Sequence, residues 1–199
     1  MNSLAPVTSI SHTLLSSSGD AETIRQGLET IHTTSDRLLR FVDSFRAVTR
    51  ISAPQKAPFY LSELVAEACS LTAREGVDVE ACLEPEDTML YADRALMSQV
   101  FVNLLKNATE ALLEQDGERK ITIHSAIDAE ERIQIEFTNS GSAIPVEVAE
   151  NIFTPFFTTK ADGSGIGLAV SRQIVRLHGG TLRLKHNDED RVTFAVVME

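Results

Sequence analysis

The stretch that decides the fold covers residues 153–168 and reads Phe-Thr-Pro-Phe-Phe-Thr-Thr-Lys-Ala-Asp-Gly-Ser-Gly-Ile-Gly-Leu. Apolar residues at helical spacing begin inside it and continue beyond it, at Ile166, Val170, Ile174 and Leu177. Gly163, Gly165 and Gly167 therefore stand at the start of a helix. Glycines let backbone N–H groups turn toward one point, and a helix N-terminus favours negative charge. The pattern indicates a polyphosphate-binding loop with Lys160 as a nearby cation; the alternative is a flexible loop before a helix.

Two common nucleotide motifs do not fit this stretch. A P-loop requires Lys and Ser or Thr after its last glycine, whereas Gly167 is followed by Leu168. The dinucleotide fingerprint requires a wider final glycine spacing and a preceding apolar strand. A third type of nucleotide site is therefore expected, with its other parts elsewhere in the chain.

Composition excludes several classes of partner. The chain has 199 residues, 43% of them hydrophobic and 24% charged, which suits one or two globular domains. A net charge of −11 argues against nucleic acid and anionic lipid as partners. No apolar run approaches the roughly 18 residues of a spanning helix and no signal peptide is visible, so we expect a cytoplasmic fragment without membrane contact. Cys69 and Cys82 are expected to be buried free thiols.

Residues 2–16 and 21–50 are predicted to form two helices. In the second, mainly apolar residues alternate steps of four and three, at Ile24, Leu28, Ile31, Ser35, Leu38, Val42, Phe45 and Thr49. These residues form a heptad seam along one side of the helix. Two helices joined by a short loop cannot bury such a seam alone. We therefore expect a homodimer through residues 2–50, in which two helical hairpins form a four-helix bundle. The alternative is a seam covered by the rest of the same chain.

Prolines at positions 54 and 58 mark a linker, after which strands and helices are mixed. Strands are predicted at residues 59–61, 77–83, 89–91, 121–127, 132–139, 181–185 and 192–198. Helices are predicted from Ser62 as cap to about residue 74, at 93–115, near 145, and from the glycines to Gly179. Because the two types do not alternate strictly, we predict an α+β sandwich.

Three amides interrupt faces that should be buried. Asn103 and Asn107 share one stripe of the helix over residues 93–115, and Asn139 continues an apolar row at the end of a strand. An unpartnered buried amide costs roughly 1–3 kcal/mol. The helix amides either bond to a nearby loop or offer an oxygen to Mg²⁺. Asn139 either caps the following turn or contacts the edge of a base.

Four motifs in one order resemble the N, G1, F and G2 boxes of sensor histidine kinases: residues 103–111, 139–145, 153–160 and 163–168. The resemblance implies a catalytic ATP-binding domain over residues 58–199, of the Bergerat type shared with gyrase. It also implies that residues 1–53 are the dimerisation and phosphotransfer domain. The implied function is Mg-ATP-dependent transfer of the γ-phosphoryl group to a histidine, and then to an aspartate of a response regulator in two-component signalling.

The resemblance also implies residue roles. Asn107 would hold Mg²⁺, Asn103 would lie near the γ-phosphate, and Asn139 would contact adenine with Thr193 beside it. In related ATPases a Glu occupies the position of Asn103 and activates water, so an amide there favours transfer over hydrolysis. The remaining implied ATP-binding residues are Lys106, Gly141, Ala143, Ile144, Phe156, Thr159, Lys160, Gly163, Ser164, Gly165, Ile166, Gly167 and Leu168.

The sequence departs from the family pattern at two kinds of position. Asn139 stands where the family has Asp, and Ala143 where it has Gly, which favours an alternative: a phosphotransferase or pseudokinase scaffold with a degenerate ATP domain. Residues 1–6 resemble the end of a phosphoacceptor box, so we expect the acceptor histidine upstream of residue 1 and a fragment unable to autophosphorylate. An ATPase or anti-sigma kinase of the same fold is a third reading, opposed by the helical segment. The resemblance leaves open an inner-membrane anchor elsewhere in the full-length protein.

Overall fold

A long helix, α1 (Ala21–Thr49), forms most of the first of two units, Met1–Arg50. The computed structural model describes residues 9–12, 21–49, 51–115, 117–160 and 163–199. Residues 9–12 are helical, and the rest of the predicted helix over residues 2–16 lies outside the described residues. The helix predicted at residues 21–50 is confirmed, whereas the hairpin and the dimer stay predictions.

Three of the five described side chains in the α1 seam are exposed, and the other two, Ile31 and Ser35, are half-buried. Ile24 is 41% exposed, Leu28 56% and Val42 39%. The side chains of Leu38, Phe45 and Thr49 lie outside the described part of the chain. Apolar groups spaced along one stripe of a helix are stabilised when they are removed from water. Burial of Ile24, Leu28 and Val42 against another helix would therefore stabilise α1.

The second unit, Ile51–Glu199, contains seven strands and four helices in its described residues. Its elements are β1 (Ala57–Tyr60), α2 (Leu61–Thr72), β2 (Asp78–Leu83), β3 (Met89–Ala92), α3 (Arg94–Leu113), β4 (Lys120–Ile127), β5 (Ile133–Asn139), α4 (Val146–Ala149), α5 (Gly167–Leu177), β6 (Thr181–Asp188) and β7 (Arg191–Met198). Five strands form a mixed sheet in the order β2-β4-β5-β7-β6, in which β2 and β4 are parallel and the other pairs antiparallel. β1 and β3 form a separate antiparallel pair. The predicted α+β class is confirmed.

The core lies between the five-stranded sheet and α3. Alternate residues of β4 and β5 are buried, as expected for strands covered by helices on one face. Phe101 of α3 meets Phe137 of β5 edge to face, with ring centroids 5.0 Å apart. α3 also packs against α2 and α5. This arrangement places the face of α3 that carries Asn103 and Asn107 next to the start of α5.

Some local predictions need correction. α2 begins at Leu61 with Tyr60 as its N-cap residue and no side-chain cap, so Ser62 does not cap it. Cys82 is exposed because β2 is an edge strand, whereas Cys69 is half-buried. β6 continues to Asp188 through a bulge after Leu184, three residues beyond its predicted end. Among the described helices, none combines the length and the apolar character needed to cross a membrane.

The first turn of α3 is fixed by Asp93 and His178. The Asp93 carboxylate accepts hydrogen bonds from the backbone N–H groups of Gln55 at 2.8 Å and Leu96 at 3.1 Å. The buried His178 ring accepts from the Asp93 N–H at 2.9 Å, while its Nδ1 donates to the Ile174 carbonyl at 2.8 Å. His178 thereby joins the C-terminus of α5 to the N-terminus of α3.

Removing the Asp93 cap should destabilise the second unit. Asp93→Ala is expected to lower the free energy of unfolding by about 1 kcal/mol at pH 7, measured by urea denaturation. The hydrogen bonds from Gln55 and Leu96 hold the pKa of Asp93 below its usual value. The stabilisation is therefore present above the unfolded pKa of about 3.9 and is lost as the pH falls through the folded pKa. Asp93→Asn, which caps without titrating, should lose less stability on acidification than the native chain; equal losses would contradict this account.

Candidate functional site

A cavity of about 770 Å³ lies over α3 in the second unit, within the range of about 300–1,000 Å³ typical of ligand pockets. Its walls come from α3, the loop after β5, the segment before α5, the first residues of α5, and β7. Of the residues predicted to bind ATP, thirteen line it: Asn103, Lys106, Asn107, Asn139, Ala143, Ile144, Thr159, Lys160, Gly163, Ser164, Gly165, Gly167 and Leu168. The structure therefore brings together residues from all four motifs.

The other four predicted residues lie outside the lining: Gly141, Phe156, Ile166 and Thr193. Thr193 is the Cα partner of Thr138, and their hydroxyls are 2.9 Å apart. Asn139 pairs instead with Val192, so Thr193 faces the opposite side of the sheet. Val192 takes the place expected for Thr193, and Phe157 takes the place expected for Phe156.

Gly165 is needed for the turn that leads from the aromatic segment into α5. It has a φ of +67°, and a Cβ at this position would lie 2.6 Å from the carbonyl carbon of Phe156 and 2.7 Å from the oxygen of Phe157. The Phe156 N–H donates to the Gly165 carbonyl at 2.8 Å. A Cβ on Gly167, by contrast, would make only ordinary contacts of 3.7 Å with the Asn103 amide.

The start of α5 borders the cavity. The helix begins at Gly167, its N-cap residue Ile166 makes no side-chain cap, and both Gly167 and Leu168 line the cavity. The first N–H groups of a helix have no partner within the helix, and the helix dipole favours an anion there. The loop and helix start together can therefore bind a phosphate group.

The two amides of α3 differ in their surroundings. The Asn103 amide nitrogen donates to the Gly167 carbonyl at 3.4 Å and the buried Ser171 hydroxyl at 3.3 Å. The side chain of Asn107, one turn further on, forms no hydrogen bond with the described residues and lines the cavity. Asn103 therefore joins α3 to α5, whereas the Asn107 amide is available to a ligand.

The cations of the cavity are Lys106 and Lys160 among the described residues. Lys160 forms an ion pair with Glu110 of α3, in which both side chains are partly exposed. Lys106 is exposed. The pair with Glu110 joins residues 50 positions apart, and nothing in the local pattern of α3 predicts it.

Asn139 lies at the end of β5 and is only 4% exposed. Its side chain lines the cavity without a hydrogen bond to the described residues. A Cβ on Gly141 would lie 2.5 Å from the Asn139 amide nitrogen and 2.8 Å from that of Gln115. A larger residue at position 141 would therefore have to displace the ends of these two side chains, although Gly141 itself does not line the cavity.

Two further amides hold the loop after β5, and both were missed by sequence reasoning. The Gln115 carbonyl oxygen accepts from the Ser142 N–H at 3.1 Å and its hydroxyl at 2.9 Å. The Asn187 oxygen accepts from the Ile144 N–H at 2.7 Å, and its nitrogen donates to the Ile144 carbonyl at 2.8 Å. Gln115 is the last residue of a predicted helix, and Asn187 lies beyond the predicted end of β6, so the sequence pattern at neither position indicated a role in the site.

Comparisons with known proteins identify the family. Residues 92–199, more than half of the chain, match the family described as histidine kinase-, DNA gyrase B- and HSP90-like ATPases. The chain is 33% identical over 190 residues to the sensor protein FixL of Bradyrhizobium diazoefficiens, covering 92% of this chain and 37% of that protein. It is also 33% identical over 172 residues to the signal transduction histidine-protein kinase AtoS of Escherichia coli, covering 81% of this chain and 28% of AtoS. The chain thus spans about a third of the length of these relatives.

Solved structures of histidine kinases also resemble this chain. The nucleotide-free catalytic domain of the histidine kinase ThkA matches with a TM-score of 0.64 and 37% identity, over 72% of this chain and 95% of that one. ThkA in complex with the response regulator protein TrrA matches with a TM-score of 0.68 and 30% identity, over 99% of this chain and 57% of that one. The chain belongs to the histidine kinase-, DNA gyrase B- and HSP90-like ATPase family, and within it to the sensor histidine kinases.

Proposed function

We propose that the cavity binds Mg-ATP and that the chain is the core of a sensor histidine kinase. It transfers the γ-phosphoryl group to a histidine outside the described residues and then to an aspartate of a response regulator. The carrying observation is a pair of amides in one cavity, Asn107 and Asn139, with no hydrogen-bond partner among the described residues. Asn139 is nearly fully buried and Asn107 is half-buried, and both line the cavity, so their amides can donate to and accept from a ligand bound there.

The two amides divide the cavity into a base end and a phosphate end. Asn139 lies near Gln115, just beyond the C-terminus of α3, whereas Asn107 lies about two turns earlier. Apolar side chains line the loop and strand around Asn139, namely Ile144, Val148, Ile152 and Val192. Both lysines, the glycines and the start of α5 belong to the other end. A purine suits the first environment and a triphosphate the second.

The residues present fit a magnesium ion. The described residues contain no group of three or more His, Cys, Asp or Glu side chains able to hold a metal by themselves. Mg²⁺ bound with nucleotides needs only one or two protein oxygens, because phosphates and waters supply the rest. Asn107 would hold the ion through its amide oxygen. The ion would neutralise phosphate charge when bound.

Asn103 supports phosphoryl transfer rather than hydrolysis. Its amide donates to Gly167 and Ser171 and cannot accept a proton from an attacking water. Transfer to a histidine needs positioning and neutralisation of charge more than a strong base. The link from Asn103 to Gly167 holds the start of α5 next to the phosphate end of the cavity.

The helix α1 is proposed to pair with a second copy. Its seam positions Ile24, Leu28 and Val42 are exposed in one chain, and their heptad spacing suits a helical bundle. The structure of ThkA in complex with a response regulator matches 99% of this chain. We propose that a receiver domain of this class is the phosphoryl acceptor here as well.

Leu28→Glu is expected to weaken the proposed dimer at least about tenfold, because two charges would face each other across the seam. Sedimentation equilibrium on the native and variant chains measures this. Gln26→Glu adds the same charge on the same helix away from the seam and should leave the dimer intact. A native chain that remains monomeric at high concentration would contradict the proposal.

A second candidate is a phosphotransfer scaffold with an ATP domain that no longer binds nucleotide, favoured by Asn139 and Ala143. Calorimetric titration of the native chain with Mg-ADP separates the two. A saturable isotherm and a raised melting temperature are expected for the kinase. Absence of both would remove the kinase proposal and leave the scaffold.

A further inference from the structure

Two amide side chains near the base end of the cavity differ in their freedom to rotate. Gln115 uses its oxygen to accept from Ser142 and its nitrogen to donate to the Ala111 carbonyl at 2.9 Å, which fixes its orientation. Asn139 is 4% exposed and lines the cavity, yet its amide has no hydrogen-bond partner in the described part of the chain. No described protein group therefore determines which of its two terminal atoms faces the ligand.

An amide that can turn over is complementary to two kinds of purine. Adenine offers a donor at its 6-amino group, whereas guanine and hypoxanthine offer an acceptor at O6. The neighbouring N1 atom reverses in the same way, as an acceptor in adenine and an N1–H donor in the 6-oxo purines. The Asn amide carries one acceptor oxygen and one donor nitrogen, and a half-turn of its terminal torsion exchanges them. Either edge can thus be satisfied by the same side chain.

The surroundings do not oppose this exchange. Val192, the strand partner of Asn139, is apolar, and so are the lining residues Ile144, Val148 and Ile152. Among the described side chains around this end, Gln115 already uses both polar atoms within the protein. Glu114 and Ser142 also line this end, but Asn139 combines near-complete burial with an amide that has no partner among the described residues, so it is placed to distinguish a 6-amino from a 6-oxo group.

We propose that Asn139 makes this site accept 6-oxo purine nucleotides as well as adenine nucleotides, with similar affinity. The inference rests on the proposed function, because selectivity for a base exists only if the cavity binds nucleotide. A carboxylate at this position would have two acceptor oxygens. It could accept from the 6-amino group of adenine but would face O6 with a second acceptor, leaving a buried polar contact unsatisfied.

The test is calorimetric titration of the native chain and of Asn139→Asp with the magnesium salts of ADP, IDP and GDP. IDP is the decisive probe, because it changes the 6-position and N1 without the 2-amino group of guanine. We expect Kd values for ADP and IDP within about fivefold of each other in the native chain. In Asn139→Asp the ratio of the IDP to the ADP Kd should rise at least about tenfold.

Asn151→Asp is the matched control. Asn151 is exposed, lies outside the cavity lining and donates its amide to the Glu147 carbonyl at 2.9 Å, so it undergoes the same chemical change away from the base. Its IDP to ADP ratio should equal that of the native chain. Thermal melts of all three proteins verify that they are folded.

The outcomes separate the inference from the function on which it rests. If the native chain binds ADP but binds IDP more than about fivefold more weakly, the dual selectivity is overturned while the kinase proposal stands. An IDP to ADP ratio that Asn139→Asp leaves unchanged would likewise overturn the role of Asn139. If the folded native chain binds neither nucleotide, both the inference and the proposed function fail.

Discussion

Gly165→Ala is expected to weaken Mg-ADP binding about a hundredfold, measured by calorimetry. The added Cβ would lie 2.6 Å from the Phe156 carbonyl carbon, and the residue would keep a φ of +67°. A left-handed conformation with a backbone clash costs about 2–3 kcal/mol, which corresponds to roughly that loss in affinity. The turn must open to relieve the clash, and the backbone N–H groups then leave the phosphate end.

Gly167→Ala is the matched control, two residues further on. Its Cβ would meet only the Asn103 amide, at 3.7 Å, and its φ is not in the left-handed region. The affinity should change less than about fivefold, which is under 1 kcal/mol. Equal losses in both variants would show that any methyl group in the segment obstructs the ligand. The specific role assigned to the turn at Gly165 would then be wrong.

Asn107→Ala is expected to remove the magnesium dependence of ADP binding. The native chain should bind ADP at least about tenfold more weakly when magnesium is chelated, because the ion links phosphate oxygens to the protein. In the variant, affinity in magnesium should fall to the chelated value, and chelation should then have little further effect. Calorimetric titrations of the native chain and the variant with ADP, each with and without chelator, measure the four Kd values.

Asn107→Asp tests the chemistry of the side chain rather than its size. A carboxylate supplies an oxygen at nearly the same place, so magnesium dependence should return in part. If Asn107→Ala binds Mg-ADP as the native chain does, Asn107 is not the metal ligand. A loss in both variants that is independent of magnesium would instead assign Asn107 to direct contact with the nucleotide.

Most helix and strand positions were predictable from periodicity, and motif order predicted thirteen of the residues that line the cavity. Asn139 was expected to point inward because it continues the alternation of Ile135 and Phe137, and the structure confirms that it is buried. The helix face with Asn103 and Asn107 followed from the 3.6-residue period in the same way. These features depend on the spacing of nearby residues, which can be read from one amino-acid sequence.

The site predictions that were wrong or missed concern contacts between distant parts of the chain. Thr193 was placed beside Asn139, but strand register sets which residue faces which side, and a shift of one residue reverses the face. Phe156 was placed in the wall, but its φ of +68° turns the chain so that Phe157 lines the cavity. The pair of Lys160 with Glu110 joins distant segments. Each depends on tertiary geometry that local patterns do not contain.

The far end of α5 is secured independently of the ligand. The His178 ring bonds to the Asp93 N–H, and a Cβ on Gly180 would lie 2.4 Å from the Val197 carbonyl, so little space remains there. A nucleotide that binds at the start of α5 should therefore leave the C-terminal turn of this helix in place. The emission of a fluorophore attached at position 159 should change when nucleotide binds, and that of a fluorophore at position 177 should not.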